Sequence, residues 1–410
     1  MNITGAVRVS AACFFVLVLG LGPVRAATFY VAKDGRDSDP GTEAKPWATV
    51  RHGVAAMAAG DTLVIRAGTY PESIEYPPSG SPERMTTIKA LPGEQVVIQA
   101  NDINHCAVVH DRSYLLIQGL VFDASDLRLP EGASGQIIEV SGGSHITIDG
   151  CEVRGGHDAN GIIGGNHCTY TNNHIHHINV GGEAGYYGMY PGGHDNLIAH
   201  NTIHHANGWG IHAYNTRGGA DRNTFIANRI YHCGFKEKKP GELPGKVTGS
   251  AGPWSAGRFG GIILSSGSGD VAYNNVIFDN DGPGIFIGYG AVDPQIYNNT
   301  LYGNNRAGND AQVRIGDPHG TATNPLFSNN IVYGPSGKDI VQENIKGTVT
   351  METNLLGRDP RFVDAAKGDF HLKPGSPAID AGTDARAPKT DLEGKKRPQG
   401  GGCDIGAYER

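Results

Sequence analysis

Two short segments combine the side chains that proton transfer beside a carboxylate requires. The first, Tyr187 to Asp195, reads Tyr-Gly-Met-Tyr-Pro-Gly-Gly-His-Asp, and the second, Trp209 to Arg217, reads Trp-Gly-Ile-His-Ala-Tyr-Asn-Thr-Arg. Such a reaction needs a base, an acid for the leaving oxygen and a cation that neutralises the carboxylate. Histidine, tyrosine and arginine supply these functions, and arginine pairs bidentately with carboxylates. The residue types therefore favour chemistry on a uronate, an acidic sugar.

The roles follow from residue type. His212 or His194 is the candidate base. Tyr190 or Tyr187 is the candidate acid, and Arg217 is the candidate neutralising cation. Further aromatic and basic residues could stack on sugar rings or pair with carboxylates: Tyr214, Trp209, Lys236, Lys238, Lys239, Trp254 and Arg258. The alternative is that the cluster is ordinary outward surface.

A recurring phrase must position these residues. It consists of an Asn, a variable residue, an aliphatic residue and often an aromatic. Its asparagines are Asn173, Asn201, Asn228, Asn275, Asn299, Asn330 and Asn354. They follow one another at steps of 24 to 31 residues, except for one step of 47. A near-fixed period of this size indicates a solenoid, and the long step is one coil plus an insertion.

Two strand columns accompany the asparagines. Two positions after each Asn stands an aliphatic residue: Ile175, Ile203, Ile230, Ile277, Leu301, Val332 and Leu356. A second column precedes the phrase and includes Ile162, Met189, Ile211, Ile262, Ile285 and Val313. Short β-rich runs separated by Gly and Asn predict an all-β parallel β-helix whose stacked coils bury both columns. The Asn column suits a tight turn, because Asn tolerates left-handed backbone angles and its amide can bond to adjacent coils. Since Ile211 is buried, His212 and Tyr214 should face outward.

Residues 1–26 resemble an export signal. Arg8 precedes an apolar run from Ala11 to Leu21, and a small-residue exit follows at Ala26. This pattern predicts a secreted protein, extracellular or periplasmic. No stretch is long enough to span a bilayer, so we expect no membrane insertion.

The N-terminal part of the mature chain resembles secreted β-helix polysaccharide lyases of the pectate-lyase, chondroitinase B and alginate-lyase type. The resemblance lies in Phe29 to Gly35, Pro46 to Val50 and Ala59 to Tyr70. It implies a right-handed helix of the pectate-lyase type and cleavage of a uronate-containing polysaccharide by β-elimination. The helical stretch Val50 to Ala58 should cap the open end of the solenoid, which otherwise exposes its core and strand edges.

The chain after residue 350 resembles the choice-of-anchor Q domain of secreted bacterial β-helix proteins. The matching residues include Asp359-Pro360-Arg361-Phe362, Pro374-Gly375-Ser376-Pro377 and Asp404-Ile405-Gly406-Ala407-Tyr408-Glu409. We therefore divide the chain into a signal peptide (1–26), a β-helix with its N-terminal cap (27–350, with an insertion at 236–258) and a small C-terminal module (351–410). The insertion could line the binding groove or form a plain surface loop.

Other functions remain open at this stage. Tyr187, Gly188 and Pro191 are similar to the Tyr-Gly-x-Asp-Pro-His signature of mannuronan C5-epimerases, although Tyr190 replaces the Asp and His194 comes two residues later. A hydrolase would need paired carboxylates in the groove, for which the candidates are Asp270, Asp279 and Asp281. A non-catalytic carbohydrate-binding or cell-envelope protein is a further alternative.

The composition and net charge limit the classes of molecule that the protein could bind. The net charge of −7 disfavours nucleic acid. We expect a monomer acting on an acidic polysaccharide. No cofactor is certain; calcium is possible because Asp34, Asp37 and Asp39 form an acidic loop, but no ligands can be assigned.

The cysteines and histidines leave two structural questions. After removal of the signal, Cys106, Cys151, Cys168, Cys233 and Cys403 could pair or remain buried thiols, and their odd number leaves one unpaired within a monomer. His176 and His204 fall in a column that elsewhere holds Tyr and Phe, which predicts aromatic stacking. His177, His205 and His232 form the adjacent column, which we interpret as a solvated stack in preference to a metal ladder.

Overall fold

The computed structural model describes residues 26–100, 105–127, 129, 134–179, 185–215, 219–234, 259–308, 310–318, 320–335 and 338–410. The predicted signal peptide falls, up to residue 25, outside the described residues. The described residues form a right-handed parallel β-helix, which confirms the predicted fold. In the described chain, no helix is long and apolar enough to cross a bilayer.

Three parallel faces make up the helix, here called sheets A, B and C. Sheet A contains Ile74–Glu75, Ala107–Val108, the first half of Gly135–Asp149, Ala159–Asn166, Met189–Tyr190, Ile211–Ala213, Ile262–Ser265, Ile285–Gly288, Ala311–Ile315 and Lys338–Gln342. Sheet B contains Thr28–Val31, Thr62–Ile65, Thr86–Ala90, Ser113–Gln118, the second half of Gly135–Asp149, Thr169–Thr171, Leu197–Ala199, Thr224–Ile226, Val271–Tyr273, Gln295–Tyr297, Leu326–Ser328 and Thr350–Glu352. The long strand Gly135–Asp149 therefore joins sheets A and B into one 21-stranded sheet.

Sheet C has 11 strands. They are Gly68–Tyr70, Val96–Gln99, Val121–Ala124, Glu152–Gly155, His174–Ile178, Thr202–Ala206, Arg229–Tyr231, Val276–Phe278, Thr300–Tyr302, Ile331–Tyr333 and Leu355–Leu356. A small parallel sheet adds Ala291–Val292, Ala322–Thr323 and Ile345–Lys346.

The two predicted aliphatic columns are in register and fill the interior. Ile175 pairs with Ile203, Ile203 with Ile230, and the column continues to Leu356. Its members from Ile175 to Val332 are fully buried, whereas Leu356, at the end of the stack, is 39% exposed. The sheet A column is buried in the same way, with Ile211 at 0% exposure.

The asparagine column forms a hydrogen-bonded ladder at the corner between sheets B and C. The Nδ2 of Asn201 donates to Oδ1 of Asn228 (3.0 Å) and to the carbonyl of Tyr170 one coil earlier (2.9 Å), and its backbone N–H donates to the same Oδ1 (3.0 Å). One part of the prediction was wrong: the left-handed residue is the one before each ladder Asn, for example His200 (φ 56°) and Ala227 (φ 54°). The ladder Asn provides the hydrogen bonds and its predecessor makes the turn.

The N-terminal end of the stack is covered by a helix. The helix Val50–Ala56 turns Val50, Gly53 and Val54 inward, and the hydroxyl of Thr49 caps it by accepting the N–H of His52 (3.2 Å). This agrees with the predicted cap, although the helix is two residues shorter. The carboxylate of Asp37 holds the loop before it by accepting the N–H groups of Ala48 and Thr49 (2.9 and 3.0 Å).

The C-terminal segment leaves the coil path after Leu356 and packs against the outer side of sheet C. It contains the antiparallel hairpin Phe362–Asp364 and Asp369–Leu372 and the 3-10 turns Ala365–Lys367 and Asp384–Arg386. Phe370 is fully buried in a cluster with residues of sheet C such as Phe278. The predicted domain boundaries, and the choice-of-anchor assignment, stay predictions.

The five cysteines of the described chain are buried free thiols. The cysteines are therefore unpaired thiols and do not form disulfides within the described chain. Burial raises the pKa of the Cys151 and Cys233 thiols to about 12, so they remain protonated and unreactive.

The Asn ladder should be a main source of stability. We expect Asn228→Ala to lower the free energy of unfolding by about 1–3 kcal/mol or more, because it removes the buried acceptor of the Asn201 backbone and side-chain N–H groups. Gln295→Ala, at an exposed strand position with ordinary backbone angles, is the control. Equal chemical-denaturation midpoints for the two variants would contradict this role.

Candidate active site

One line of outward side chains runs along sheet A and carries the candidate site. Register places Glu139 beside Ile163 and Ile163 beside Tyr190. On the other side, His212 pairs with Ile263, which pairs with Phe286, which pairs with Arg314. Tyr190 and His212 are adjacent, with ring centroids 5.0 Å apart. We call this line the outward ladder: Glu139, Ile163, Tyr190, His212, Ile263, Phe286 and Arg314.

Four aromatic side chains pack together at the middle of the outward ladder, two from the ladder itself and two beside it. The rings of Tyr187 and Tyr190 stack on one another with their centroids 5.5 Å apart. The ring centroid of His212 lies 4.7 Å from that of Tyr187 and 5.0 Å from that of Tyr190, and its plane is nearly perpendicular to both. Tyr214 stacks on the other side of His212 at 5.4 Å. Four of the residues predicted from the sequence are thus brought together. We call Tyr187, Tyr190, His212 and Tyr214 the aromatic quartet.

His212 is partly covered by its aromatic neighbours. Its Nδ1 is buried and has no hydrogen-bond partner within the described residues. Burial lowers the pKa of His212 to about 3, because a charged imidazolium would be poorly solvated there. Burial raises the pKa of Tyr187 to about 12 and that of Tyr190 above its usual value. At neutral pH the imidazole is therefore a neutral proton acceptor, and both phenols retain their protons.

Two clefts meet at the quartet. The first is a small cavity of about 40 Å³, lined by residues that include Tyr187, His212, Phe259 and Arg314. The second is an open groove of about 500 Å³ that contains Tyr190, Tyr214 and Asn166. Both lie on sheet A, and the open groove is large enough for sugar units, whereas the small cavity is not.

Arg314 is the cation of the first cleft, and sequence reasoning missed it. Its guanidinium pairs with Asp310 (2.6 Å) and Glu343 (2.8 Å). The signal was present, because Arg314 follows Val313 of the buried column and must face outward. Three strand spacings separate it from His212, or roughly 14 Å along the stack. Arg314 can therefore meet a sugar a few units along the chain but not the one that contacts His212.

Other predicted residues do not join the quartet. His194 lies beyond the turn at Gly192 and Gly193; its Nδ1 is 2.7 Å from the carboxylate of Asp195, and its ring contacts that of His167. Trp209 lines the first cleft but is only 4% exposed, because it packs against Phe259 and Phe286 from later coils. The expectation that Trp209 offers a ring face to sugar is therefore corrected: it supports the wall.

Six predicted residues lie outside the described residues: Arg217, Lys236, Lys238, Lys239, Trp254 and Arg258. The insertion that contains five of them returns to the described chain at Phe259, which lines the first cleft. These basic residues therefore remain predictions for the neutralising cation.

Neither a metal nor a hydrolytic carboxylate pair is well supported. Across the described ranges, the group with metal-ligand spacing is His167, His194 and Asp195. The guanidinium of Arg222 already holds both carboxylate oxygens of Asp195 (2.8 Å each) and lowers its pKa, which leaves little room for a cation.

The suggested hydrolase carboxylates lie elsewhere. Asp270 is buried where it accepts the backbone N–H of Asn223 (2.8 Å), and burial raises its pKa to about 7. Burial likewise raises the pKa of Asp279 and that of Asp281, which reaches about 6. None of the three lines either cleft. Asp310 and Asp317 do line the first cleft, but Asp310 pairs with Arg314, and Asp317 accepts the N–H of Gly320 (2.8 Å).

A separate histidine cluster lies on the outer side of sheet C. His176 stacks on His204 (5.2 Å), and His204 stacks on Tyr231 (4.8 Å), which confirms the aromatic column. In the adjacent column, His177 stacks on His205 (4.8 Å). Burial, reinforced by neighbouring imidazoles, lowers the pKa of both His176 and His205 to about 4 and also lowers that of His204.

The comparisons with known proteins agree with this architecture. The family model described as "Pel9A-like, right handed beta helix region" matches residues 29–243, and the "Right handed beta helix region" model matches residues 164–356. The chain belongs to the Pel9A-like right-handed β-helix family.

Three individual proteins show how far the similarity extends. YwoF of Bacillus subtilis, an uncharacterized protein, is 25% identical over 365 residues, which cover 80% of this chain and 74% of YwoF. Pectate lyase PEL9 of Emericella nidulans is 30% identical over 132 residues, 30% of this chain and 32% of its own. The crystal structure of pectate lyase Pel9A superposes with a TM-score of 0.65 at 16% identity, over 94% of this chain and 96% of that one. The last likeness demonstrates the fold alone.

The histidine cluster predicts acid sensitivity. An unfolded histidine takes up its proton near pH 6.5. His176 and His205 do so only near pH 4 in the fold, so the unfolded state binds more protons between these values. Stability should therefore fall as pH drops from about 6.5 to about 4.

A matched pair of variants checks the source of this effect. His204→Tyr, which continues the column with the residue type of Tyr231, should flatten the dependence of melting temperature on pH. His200→Asn, which removes an exposed imidazole and suits the left-handed backbone at this position, should not. An unchanged slope in His204→Tyr would assign the acid sensitivity to other groups.

Proposed function

We propose that this protein is a secreted polysaccharide lyase that cleaves a uronate-containing polysaccharide by β-elimination. The observation that carries the proposal is His212, a neutral imidazole packed against two protonated tyrosines beside an open groove on sheet A. Family membership and the partial similarity to a pectate lyase support a polysaccharide as the substrate. Secretion rests on the signal-like pattern of residues 1–26.

The quartet supplies both proton transfers. His212 accepts the proton from C5 of the uronate, and the electron pair of that C–H bond forms the C4–C5 double bond. The bond between C4 and the leaving glycosidic oxygen breaks, and the phenol of Tyr190 or Tyr187 protonates that oxygen. The approach of a substrate carboxylate raises the pKa of His212 above its value in the free protein, which makes it a stronger base.

The charges along the groove orient the chain. Arg314 pairs with the carboxylate of a sugar a few units from the reacting one, in exchange for one of its two acidic partners. Neutralisation of the reacting carboxylate falls to a cation from Arg217 or the 236–258 insertion. Calcium in that role is a second candidate, and a chelator distinguishes the two.

The reaction is tested with a panel of uronate polysaccharides. We expect absorbance of an unsaturated sugar in the ultraviolet, with at least one polymer, and no loss of rate in the presence of a calcium chelator. Unchanged chain length with solvent deuterium at C5 would instead identify a C5-epimerase. New reducing ends without ultraviolet absorbance would identify a hydrolase, and binding that raises the melting temperature without products would identify a binding protein.

His212 is the residue on which the mechanism depends most. His212→Ala should lower kcat/KM by about 10²–10⁴-fold, the usual contribution of a general base. The variant should stay folded, with a modest fall in melting temperature because the ring contacts three tyrosines. His200→Ala, an exposed histidine outside the groove, should keep full activity. Full activity in His212→Ala would remove His212 from the mechanism and direct attention to the lysines of the 236–258 insertion.

A further inference from the structure

A third groove lies on the same side of the molecule, near the N-terminal cap. It has a volume of about 530 Å³ and is lined by Arg51, Glu75, Tyr76 and Arg112 among others. Register connects it with the site, because Glu75 pairs with Val108 and Val108 with Glu139, the first member of the outward ladder. Four strand spacings separate Glu75 from Tyr190, or roughly 19 Å along the stack.

Tyr76 is unusual in two respects. Its side chain is 51% exposed, the highest value among the large hydrophobic residues of the described chain. Its backbone is left-handed (φ 50°), which bulky residues adopt rarely and at a cost of roughly 1 kcal/mol or more. The ring is held in place from the side by His110, at 6.1 Å and nearly perpendicular. An aromatic face kept exposed and fixed in this way is suited to stacking on a sugar ring.

Two guanidinium groups accompany this ring. Arg112 lies 5.9 Å from the ring centre of Tyr76, and its Nε is buried without a hydrogen-bond partner among the described residues. Arg51 projects from the capping helix, is exposed and forms no ion pair with a described carboxylate. An unpaired buried donor on a cation is costly unless a ligand satisfies it. Arg51 and Arg112 therefore remain free to bind an anion, in contrast to Arg314 and Arg222.

The acidic groups nearby are already engaged. The carboxylate of Glu75 accepts a hydrogen bond from the hydroxyl of Ser73, and that of Glu72 accepts the backbone N–H of Arg51 (2.9 Å). Glu139 binds His105 and His110 (2.8 Å each). The groove thus offers two unpaired cations and one exposed ring beside the hydrogen-bonded carboxylate of Glu75.

We propose that Tyr76, Arg51 and Arg112 form a remote subsite that binds the carboxylates and a sugar ring of the same anionic polysaccharide whose reacting sugar lies at His212. This inference rests on the proposed function and adds to it the requirement for a long substrate. A mono- or disaccharide is too short to reach both sites across roughly 19 Å. The enzyme therefore selects polymers and longer oligosaccharides over short ones.

The test compares long and short substrates in the full-length protein. For the uronate polymer that the wild type cleaves, Tyr76→Ala and Arg112→Ala should raise KM at least tenfold more for the polymer than for the shortest cleaved oligosaccharide. Arg358→Ala removes the same charge from an exposed position at the other end of the stack and should leave both KM values unchanged. Equal effects on long and short substrates, or none on the polymer, would overturn the subsite while leaving the lyase function intact.

If no polymer is cleaved, binding measurements distinguish a failure of the lyase function from a failure of the subsite. Calorimetric titration of the wild type and both variants with polygalacturonate, alginate and hyaluronan then provides the readout. Polymer binding that weakens at least tenfold in Tyr76→Ala and Arg112→Ala would support the subsite and reject the lyase function. Binding that is equal in all variants, or absent in the wild type, would overturn the subsite.

Discussion

The stacking of coils at a fixed register is the constraint on which the other features of this protein depend. Parallel strands lie about 4.8 Å apart, and each coil contributes one side chain to each column. The Asn ladder enforces that register, because every ladder amide donates to the coil before it and to the Asn after it. A shifted coil would lose these buried hydrogen bonds and turn its outward residues into the core. The outward ladder, and with it the groove, is a consequence of this arrangement.

The same constraint explains which features could be predicted from the sequence. The period of the Asn phrase and the two aliphatic columns predicted the fold, since only stacked coils bury residues such as Ile203 and Ile230. Strand alternation predicted that Tyr190 and His212 face outward side by side. The capping helix was also predictable, from a single helical stretch near the N-terminus.

The remaining features depend on contacts between distant coils or on local turns. The burial of Trp209 depends on Phe259 and Phe286, which belong to later coils and are distant from it in the sequence. His194 lies in the bend between the strands Met189–Tyr190 and Leu197–Ala199, where Asp195 is left-handed, and sequence spacing does not show where a coil bends. Arg314 was overlooked because it lies outside the two segments that concentrate Tyr, His and Arg, although the column of Val313 already placed it in line with His212.

The outward side of sheet A combines an aromatic centre with arginines on both sides. At the centre, packing within the quartet keeps His212 neutral and keeps Tyr187 and Tyr190 protonated. Arg314, paired with Asp310 and Glu343, lies on one side, and the unpaired Arg112 and Arg51 lie on the other. A polyanion laid along the axis would have its reacting sugar in contact with neutral acid–base groups and would meet unpaired cations at the N-terminal end. Electrostatic attraction and desolvation are therefore divided between different coils of one continuous surface.

A crystal structure of the His212→Ala variant with a bound uronate oligosaccharide tests the central claim most directly. The account predicts that the sugar chain lies along the outward ladder of sheet A, with one unit beside Tyr190 and position 212 and a carboxylate directed toward Arg314. A sugar chain bound to the outer side of sheet B or sheet C, with the aromatic quartet unoccupied, would contradict it.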